Sequence, residues 1–176
     1  MSADDRARAD AVYETLLQRQ GEQWVQPRVE RTRRALELLA DPQHTYRVVH
    51  VTGTNGKTST SRIIESLLRA HGLRTGMFTS PHLQRFTERV MIDGAPIEDA
   101  AIADAWDEIE PVIGLVDAEL AAAGDAPLTF FELLTVLAFV AFADAPVDVA
   151  VIEVGMGGAW DSTNTADGDV AVFAPI

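Results

Sequence analysis

The stretch RVVHVTGTNGKTSTSRIIESLL, residues 47–68, decides the fold. It opens with a run rich in β-branched residues, which is typical of a strand. It closes with Ile63, Ile64, Leu67 and Leu68 at the spacing of one helix face. A short polar segment containing two glycines joins the two parts. The order strand, loop, helix is the first half of a βαβ unit.

Strand and helix patterns continue to alternate along the rest of the chain. We predict strands at 47–51, 74–80, 87–94, 147–154 and 169–176. Helices are predicted at 4–20, 29–39, 63–72, 97–123 and 130–143, with a break or kink at Pro111. The predicted fold is therefore α/β, a mostly parallel sheet flanked by helices, in which the last two strands are buried. Residues 1–45 would form a helical segment packed on the core, and residues 46–176 would form the α/β domain.

Composition and charge exclude several classes of protein. The sequence has 14 Lys and Arg against 27 Asp and Glu, a net charge of −13, which argues against a nucleic-acid binder. It has no cysteine, so disulfides, thiolate catalysis and cysteine-bound metals are excluded. The amino terminus has no secretory pattern, and the longest apolar stretch, 130–143, is shorter than the roughly 20 residues of a spanning helix. We expect a cytoplasmic protein without nucleic-acid or membrane partners.

The loop between the first strand and helix has the composition of a phosphate-binding loop. Small residues let backbone N–H groups approach phosphate oxygens, and Lys57 with Thr58 would supply a cation and a hydroxyl for Mg²⁺. The match to G-x-x-x-x-G-K-[ST] is imperfect because Val51 replaces the first glycine. Lys57 is nevertheless the only lysine among the 14 basic residues. The alternative is a glycine turn with Asn55 or Thr58 as a helix cap.

Two further candidates follow strands, where open parallel sheets bind ligands. Ser80 stands in FTSPHL and could bind a metal, unless the segment is only a turn with a surface histidine, His82. Glu153 ends an apolar strand and precedes GMGG. A carboxylate there suits Mg²⁺ opposite a phosphate loop, and the alternative is a solvent-exposed strand end.

The segment LTFFELL, residues 128–134, has two interpretations. Thr129 and Glu132 match a helix capping box, and Phe130 and Phe131 would then be core residues. Taken by itself, the segment favours the cap and core interpretation over contact with a ligand.

Four motifs together resemble the folylpolyglutamate synthase/dihydrofolate synthase family of the Mur ligase superfamily. They are GTNGKTS (53–59), TSPHLQRFTERV (79–90), LTFFE (128–132) and EVGMGGAWDSTN (153–164). The resemblance implies a Mur-ligase-like central ATPase domain, here truncated. It also implies ATP and Mg²⁺ as cofactors and an amide ligase that joins L-glutamate to a folate or dihydropteroate carboxylate through an acyl phosphate.

The resemblance also implies roles for individual residues. Lys57 would be catalytic, Ser80 and Glu153 match the family's metal ligands, and Thr58 stands where other phosphate-loop enzymes place a Mg²⁺ hydroxyl. The nucleotide would bind Gly53, Thr54, Asn55, Gly56, Lys57, Thr58 and Ser59. The folate side would be bound by His82, Thr129, Phe130, Phe131, Glu132 and Asp161. A family loop that touches the pteroate corresponds to residues 24–27, where the sequence departs from the family.

In the family, further features follow the strand that corresponds to residues 169–176 here. They are an Ala-Leu-Asp-His segment with a metal-binding histidine, a carbamylated lysine and a glutamate-binding domain. None of them lies within these 176 residues. We therefore expect this chain to lack ligase activity by itself, whereas full-length members of the family would be monomeric. Two alternatives remain: a superfamily ligase for a peptidoglycan precursor, and a partner-binding protein that uses the uncovered last strand.

Overall fold

The structure, a computed structural model, describes residues 2–21 and 28–176. The helices are α1 (Ala3–Leu17), α2 (Glu30–Leu38), α3 (Lys57–Ala70), α4 (Asp99–Ala122) and α5 (Phe130–Asp144). The strands are β1 (Arg47–Thr52), β2 (Thr75–Phe78), β3 (Val90–Ile92), β4 (Ala95–Pro96), β5 (Val149–Glu153) and β6 (Val170–Phe173). The predicted order strand, loop, helix around residue 53 is confirmed.

The strands form one sheet in the order β4-β3-β2-β5-β1-β6. Strand β5 lies between β2 and β1 and is parallel to both, and β1 is parallel to β6. Every residue of β5 is buried, as its apolar sequence predicts. The carboxyl ends of these four strands therefore meet at one edge of the sheet, which brings the segments following β1, β2 and β5 together.

The other end of the sheet is antiparallel, so the sheet is mixed, and the prediction of a mostly parallel sheet is confirmed. Strand β3 pairs antiparallel with β2 and with β4. Only the middle of the predicted strand 87–94 is extended, because residues Phe86–Arg89 form a 3₁₀ turn. The Asp-Gly turn signal is confirmed: Asp93 and Gly94 have φ of 49° and 79°. Two consecutive positive φ values reverse the chain into a tight hairpin.

Strand β6 is exposed, whereas the sequence predicts a buried strand. Val170 and Phe173 are 51% and 74% exposed. The strand is at the sheet edge, paired only with β1 among the described residues. An apolar strand pattern predicts pairing but does not specify which faces neighbouring elements cover.

Helix α4 runs unbroken through Pro111, so the predicted break is absent. Proline removes one N–H, whose usual acceptor is the carbonyl of Asp107 four residues earlier. Both Pro111 and Asp107 are exposed, so water can satisfy that carbonyl. On the opposite face, Ile109 and Ile113 are buried and hold the two halves on the core.

The main hydrophobic core lies on one side of the sheet. It joins the inner faces of α1 and α2, through residues such as Leu16 and Leu36, to α4, α5 and the strands. A smaller cluster of Val51, Met77 and Val151 lies under α3 on the other side. The amino-terminal helices thus share the core, while a domain boundary near residue 45 stays a prediction.

Helix α5 is the apolar segment identified in the sequence, and it is buried. Gly76 of β2 is closely packed against it: a Cβ there would lie 2.7 Å from Cδ1 of Phe142. Among the helices of residues 2–21 and 28–176, none has the length and apolar character to cross a membrane.

Candidate active site at the carboxyl edge of the sheet

The predicted phosphate loop connects β1 to α3. Gly56 has φ of 78° and lies directly before the first residue of α3. Gly53 has φ of 138°, and a Cβ there would lie 2.6 Å from the carbonyl oxygen of Ala174. Position 53 requires glycine for two reasons, the positive φ and the lack of space for a Cβ. The loop therefore presents bare backbone at a helix N-terminus, the arrangement that binds anions.

Two amides of the loop already have a partner within the chain. The N–H groups of Thr54 and Asn55 each donate to the carbonyl of Pro175 over 3.0 Å. The N–H groups in the first turn of α3, residues 57–59, are those that a helix leaves for a ligand or water. Of the N–H groups predicted to bind phosphate, those of Thr54 and Asn55 therefore bind Pro175, and those of residues 57–59 lie at the N-terminus of α3.

Lys57 lies over the loop at the start of α3. Its Nζ donates to the carbonyl of Gly53 over 2.9 Å. The side chain is half-buried and lines a cavity of about 370 Å³. This contact holds the lysine over the loop, so its charge lies where a phosphate would arrive.

Glu153 ends β5 beside the loop. The side chain of Thr58 lies with Oγ1 3.0 Å from both carboxylate oxygens. Glu153 is only 3% exposed, and burial raises its pKa above the ordinary value. The Thr58 hydroxyl, the Lys57 charge and the N–H of Ser80 lower the pKa and so oppose that shift. The strand-end alternative, a solvated carboxylate, is wrong.

Ser80 follows β2 and lines the same cavity as Lys57 and Glu153. The fold thus brings three predicted residues from three separate segments to one place. Within residues 2–21 and 28–176, no cluster of three or more His, Cys, Asp or Glu side chains could hold a metal ion. A cation at this edge would therefore rely on the mixed oxygen set of Ser80, Glu153 and Thr58.

The far side of the cavity is formed by the start of α5 and the segment after β5. The predicted residues Thr129, Phe131, Glu132 and Asp161 line it. The capping box is confirmed, with Glu132 Oε2 accepting from Thr129 N over 2.7 Å and Thr129 Oγ1 accepting from Glu132 N over 3.3 Å. Capping and cavity lining are therefore compatible roles for this segment.

His82 and Phe130 do not line the cavity. His82 Nδ1 accepts from Arg89 Nε over 2.8 Å, and its Nε2 lies 3.3 Å from the hydroxyl of Tyr13. Phe130 is 6% exposed and lies under the Arg89 guanidinium, 5.2 Å from the ring centroid. Both belong to a cluster beside the cavity, and their predicted contact with substrate stays a prediction.

The chain resembles known proteins over nearly its whole length, although no protein-family model matches it. It is 47% identical to the dihydrofolate synthase/folylpolyglutamate synthase of Mycobacterium tuberculosis (strain ATCC 25618 / H37Rv) over 98% of this chain and 36% of that protein. The Mycobacterium tuberculosis folylpolyglutamate synthase complexed with ADP matches with a TM-score of 0.91 and 46% identity, over 98% of this chain and 37% of that one. An FPGS–AMPPCP–folate complex matches with a TM-score of 0.84 and 38% identity, over 94% and 39% of the two chains.

The chain belongs to the folylpolyglutamate synthase/dihydrofolate synthase family. It spans 36% of the length of the Mycobacterium tuberculosis relative, so it corresponds to about a third of that protein.

Arg28 also lines the cavity, and the sequence did not predict it as a site residue. Its Nε and one terminal nitrogen donate to the two carboxylate oxygens of Glu132 over 2.9 and 3.1 Å. The same terminal nitrogen donates to the carbonyl of Pro127 over 3.1 Å. The other terminal nitrogen is buried and has no hydrogen-bond partner among residues 2–21 and 28–176. The two residues are 104 positions apart, and neither sequence context signals the pairing.

Trp160 also lines the cavity; it stands inside the motif EVGMGGAWDSTN but is not among the predicted site residues. Its ring lies directly on Gly157, where any Cβ would overlap the indole. Phe131 is packed in the same way on Gly155. The glycines of EVGMGG thus admit two aromatic side chains to the cavity wall. The predicted loop at 24–27 lies outside the described residues.

Proposed function

We propose that this chain forms the nucleotide-binding and folate-side parts of an ATP-dependent ligase that joins L-glutamate to a folate or dihydropteroate carboxylate. The observation that carries the proposal is the single cavity shared by Lys57, Ser80, Glu153 and Asp161. A volume of about 370 Å³ is in the range of small-molecule sites. Family membership and the likeness to ADP and AMPPCP–folate complexes of relatives support the assignment.

The loop residues fit a triphosphate. Gly53 leaves no room for a side chain, so the backbone of the loop is bare on that side. Lys57 contributes a point charge, and the first turn of α3 contributes N–H donors. In a chain of net charge −13, Lys57 and the N–H groups of the helix end would supply positive charge at the place where two anionic reactants require it.

The oxygen donors fit a hard divalent cation. Carboxylate and hydroxyl oxygens are ligands that Mg²⁺ accepts, and Glu153, Ser80 and Thr58 supply them. When bound, Mg²⁺ neutralises charge on the β- and γ-phosphates. Burial of Glu153 is costly without a charge partner, which favours a bound cation at this carboxylate.

In the proposed reaction, a carboxylate oxygen of the pteroate or folate attacks the γ-phosphorus of ATP. The bond from that phosphorus to the bridging oxygen breaks, ADP leaves and an acyl phosphate forms. The amine of glutamate then attacks the acyl carbon, phosphate leaves, and the nitrogen loses a proton as the amide forms. Lys57 and the helix amides would stabilise charge on the transferred group throughout the first step.

Nucleotide titration of the chain tests the first part. We expect Lys57→Ala to weaken AMPPCP binding by about 10- to 100-fold, because a charge-assisted contact contributes about 1.5–3 kcal/mol. Arg33→Ala is the matched control, since it removes an exposed positive charge on α2 outside the cavity. Equal affinity of wild type and Lys57→Ala would contradict the phosphate-loop assignment.

Acceptor binding tests the second part. With AMPPCP and Mg²⁺ present, pteroic acid should bind the chain, and a uridine-linked muramyl precursor should not. The reverse preference would favour a peptidoglycan ligase.

A further inference from the structure

Asp161 is held in the cavity wall by three hydrogen bonds from neutral groups. Its Oδ1 accepts from the N–H and the hydroxyl of Thr163, over 3.0 and 2.6 Å, and its Oδ2 accepts from the N–H of Met156 over 2.8 Å. Asp161 is 4% exposed. Among residues 2–21 and 28–176, no arginine or lysine forms an ion pair with it. A carboxylate has about four acceptor sites, so about one remains, on Oδ2.

A chain of hydrogen bonds joins His50, Thr163 and Asp161, and its donor-to-acceptor direction follows from counting hydrogens. Thr163 has one hydroxyl proton, and it goes to the Asp161 carboxylate, which has none to give. The hydroxyl oxygen must then accept from its other neighbour, His50 Nε2, at 2.9 Å. His50 therefore has its proton on Nε2. The order is His50 Nε2–H to Thr163 O–H to Asp161 Oδ1.

The backbone of His50 is held between two neighbouring strands. His50 lies in β1 opposite Ile152 of β5 and Ala171 of β6. Gly168 lies so close that a Cβ there would be 3.2 Å from the Cβ of His50. Burial lowers the pKa of His50, and the negative charge of Asp161 opposes this. Near neutral pH the ring is then an uncharged donor in a rigid strand.

We propose that His50 and Thr163 are positioning residues that orient the Asp161 carboxylate toward one N–H donor of a planar heterocycle in the cavity. The inference rests on the proposed function. With Oδ1 filled by Thr163, the open acceptor site of Oδ2 is the one left for the ligand. A single buried acceptor selects a ligand with an N–H at that position and rejects one with a carbonyl there.

A purely structural role makes a different prediction. Asp161 also caps the 3₁₀ turn Ser162–Thr165 by accepting from Thr163 N. If capping were its whole role, removal of the Thr163 hydroxyl would lower stability without changing ligand affinity, since the backbone contact remains.

Variants of the two positions separate these roles. Thr163→Val keeps the shape but removes the hydroxyl, and Thr163→Ser restores it. His50→Leu removes the donor, and His50→Gln can return an N–H near the Nε2 position. We expect Thr163→Val and His50→Leu to weaken pteroic acid binding by about 10-fold, and Thr163→Ser and His50→Gln to recover most of it. AMPPCP affinity should change less than about twofold in all four, because neither His50 nor Thr163 belongs to the phosphate loop, residues 53–59, or lines the cavity.

NMR of the ¹⁵N-histidine-labelled chain gives an independent readout. The His50 ring should show a protonated Nε2, and pteroic acid should shift that resonance in wild type but not in Thr163→Val. Thermal melts identify a temperature at which every variant is folded.

The possible failures are distinguishable. If wild type binds pteroic acid and all four variants bind it equally, the positioning proposal is overturned while the proposed function stands. If wild type binds AMPPCP but no pteroic acid, the folate side of the proposed function fails and the inference fails with it. A His50 ring with its proton on Nδ1 and not on Nε2 would directly contradict the hydrogen-bond order from His50 through Thr163 to Asp161.

Discussion

Replacing Arg28 with methionine should strongly destabilise the chain. The side chains of Arg28 and Glu132 are only 9% and 5% exposed, and two hydrogen bonds join them. Methionine retains much of the apolar stem but leaves the Glu132 carboxylate buried without its cation. Breaking a buried pair in this way costs about 3–5 kcal/mol. At about 2–4 °C per kcal/mol for a chain of this size, Tm should fall by roughly 6–20 °C.

Urea and thermal unfolding followed by circular dichroism measure this effect. Arg34→Met is the matched control, because Arg34 also forms two hydrogen bonds with one glutamate, Glu119, but at an exposed site. Water screens that pair, so the control should change stability far less. Adding Glu132→Gln to Arg28→Met should recover more than half of the loss, since glutamine is neutral and still suits the capping box. A loss for Arg28→Met no larger than that of Arg34→Met would refute the reasoning.

Three further predictions concern the edge of the sheet and the segments beside it. Glu153→Gln should raise Tm at pH 7, because burial raises the pKa of Glu153 and its ionisation therefore opposes folding. The gain should vanish below pH 4.5, the ordinary pKa of a glutamate, because the carboxyl is then protonated in both the folded and the unfolded chain. Glu88→Gln should lower Tm at pH 7, because backbone N–H groups of residues 83–85 lower the pKa of Glu88; the difference should shrink as pH falls below 4.5 toward the lowered pKa. Gly157→Ala should displace the Trp160 ring and cost at least about 1–2 kcal/mol for the left-handed backbone, seen as a changed indole emission and a lower Tm.

Matched controls accompany the last two. Glu108→Gln, at an exposed position of α4, should show no comparable pH-dependent difference. Gly158→Ala should leave Trp160 emission unchanged, because no atom of the described part of the chain lies within 4 Å of a Cβ there. For the first, a Glu153→Gln gain that persists unchanged at pH 3 would contradict an electrostatic origin.

Local patterns predicted the parts of the fold that depend on neighbours in sequence. The glycines and Lys57 placed the loop between strand and helix, the Asp93-Gly94 pair placed a hairpin, and Thr129 with Glu132 placed a helix start. In each case a few adjacent residues fix the backbone. Strand topology then brought Ser80 and Glu153 together, as parallel pairing requires.

Features set by distant parts of the chain were not predictable in this way. The exposure of β6 depends on what covers the sheet, and the continuity of α4 at Pro111 depends on which side faces water. The partners of Glu132 and of Thr163 are Arg28 and His50, each more than 100 residues away. No periodicity or short motif encodes such pairs.

The contact between Pro175 and the amides of Thr54 and Asn55 has a practical consequence for work with this chain. The carbonyl of Pro175 holds the nucleotide loop from the segment that follows β6, so a substitution that shifts this segment also changes the loop. Nucleotide titrations of variants in residues 174–176 therefore report on the loop as well as on the strand before it.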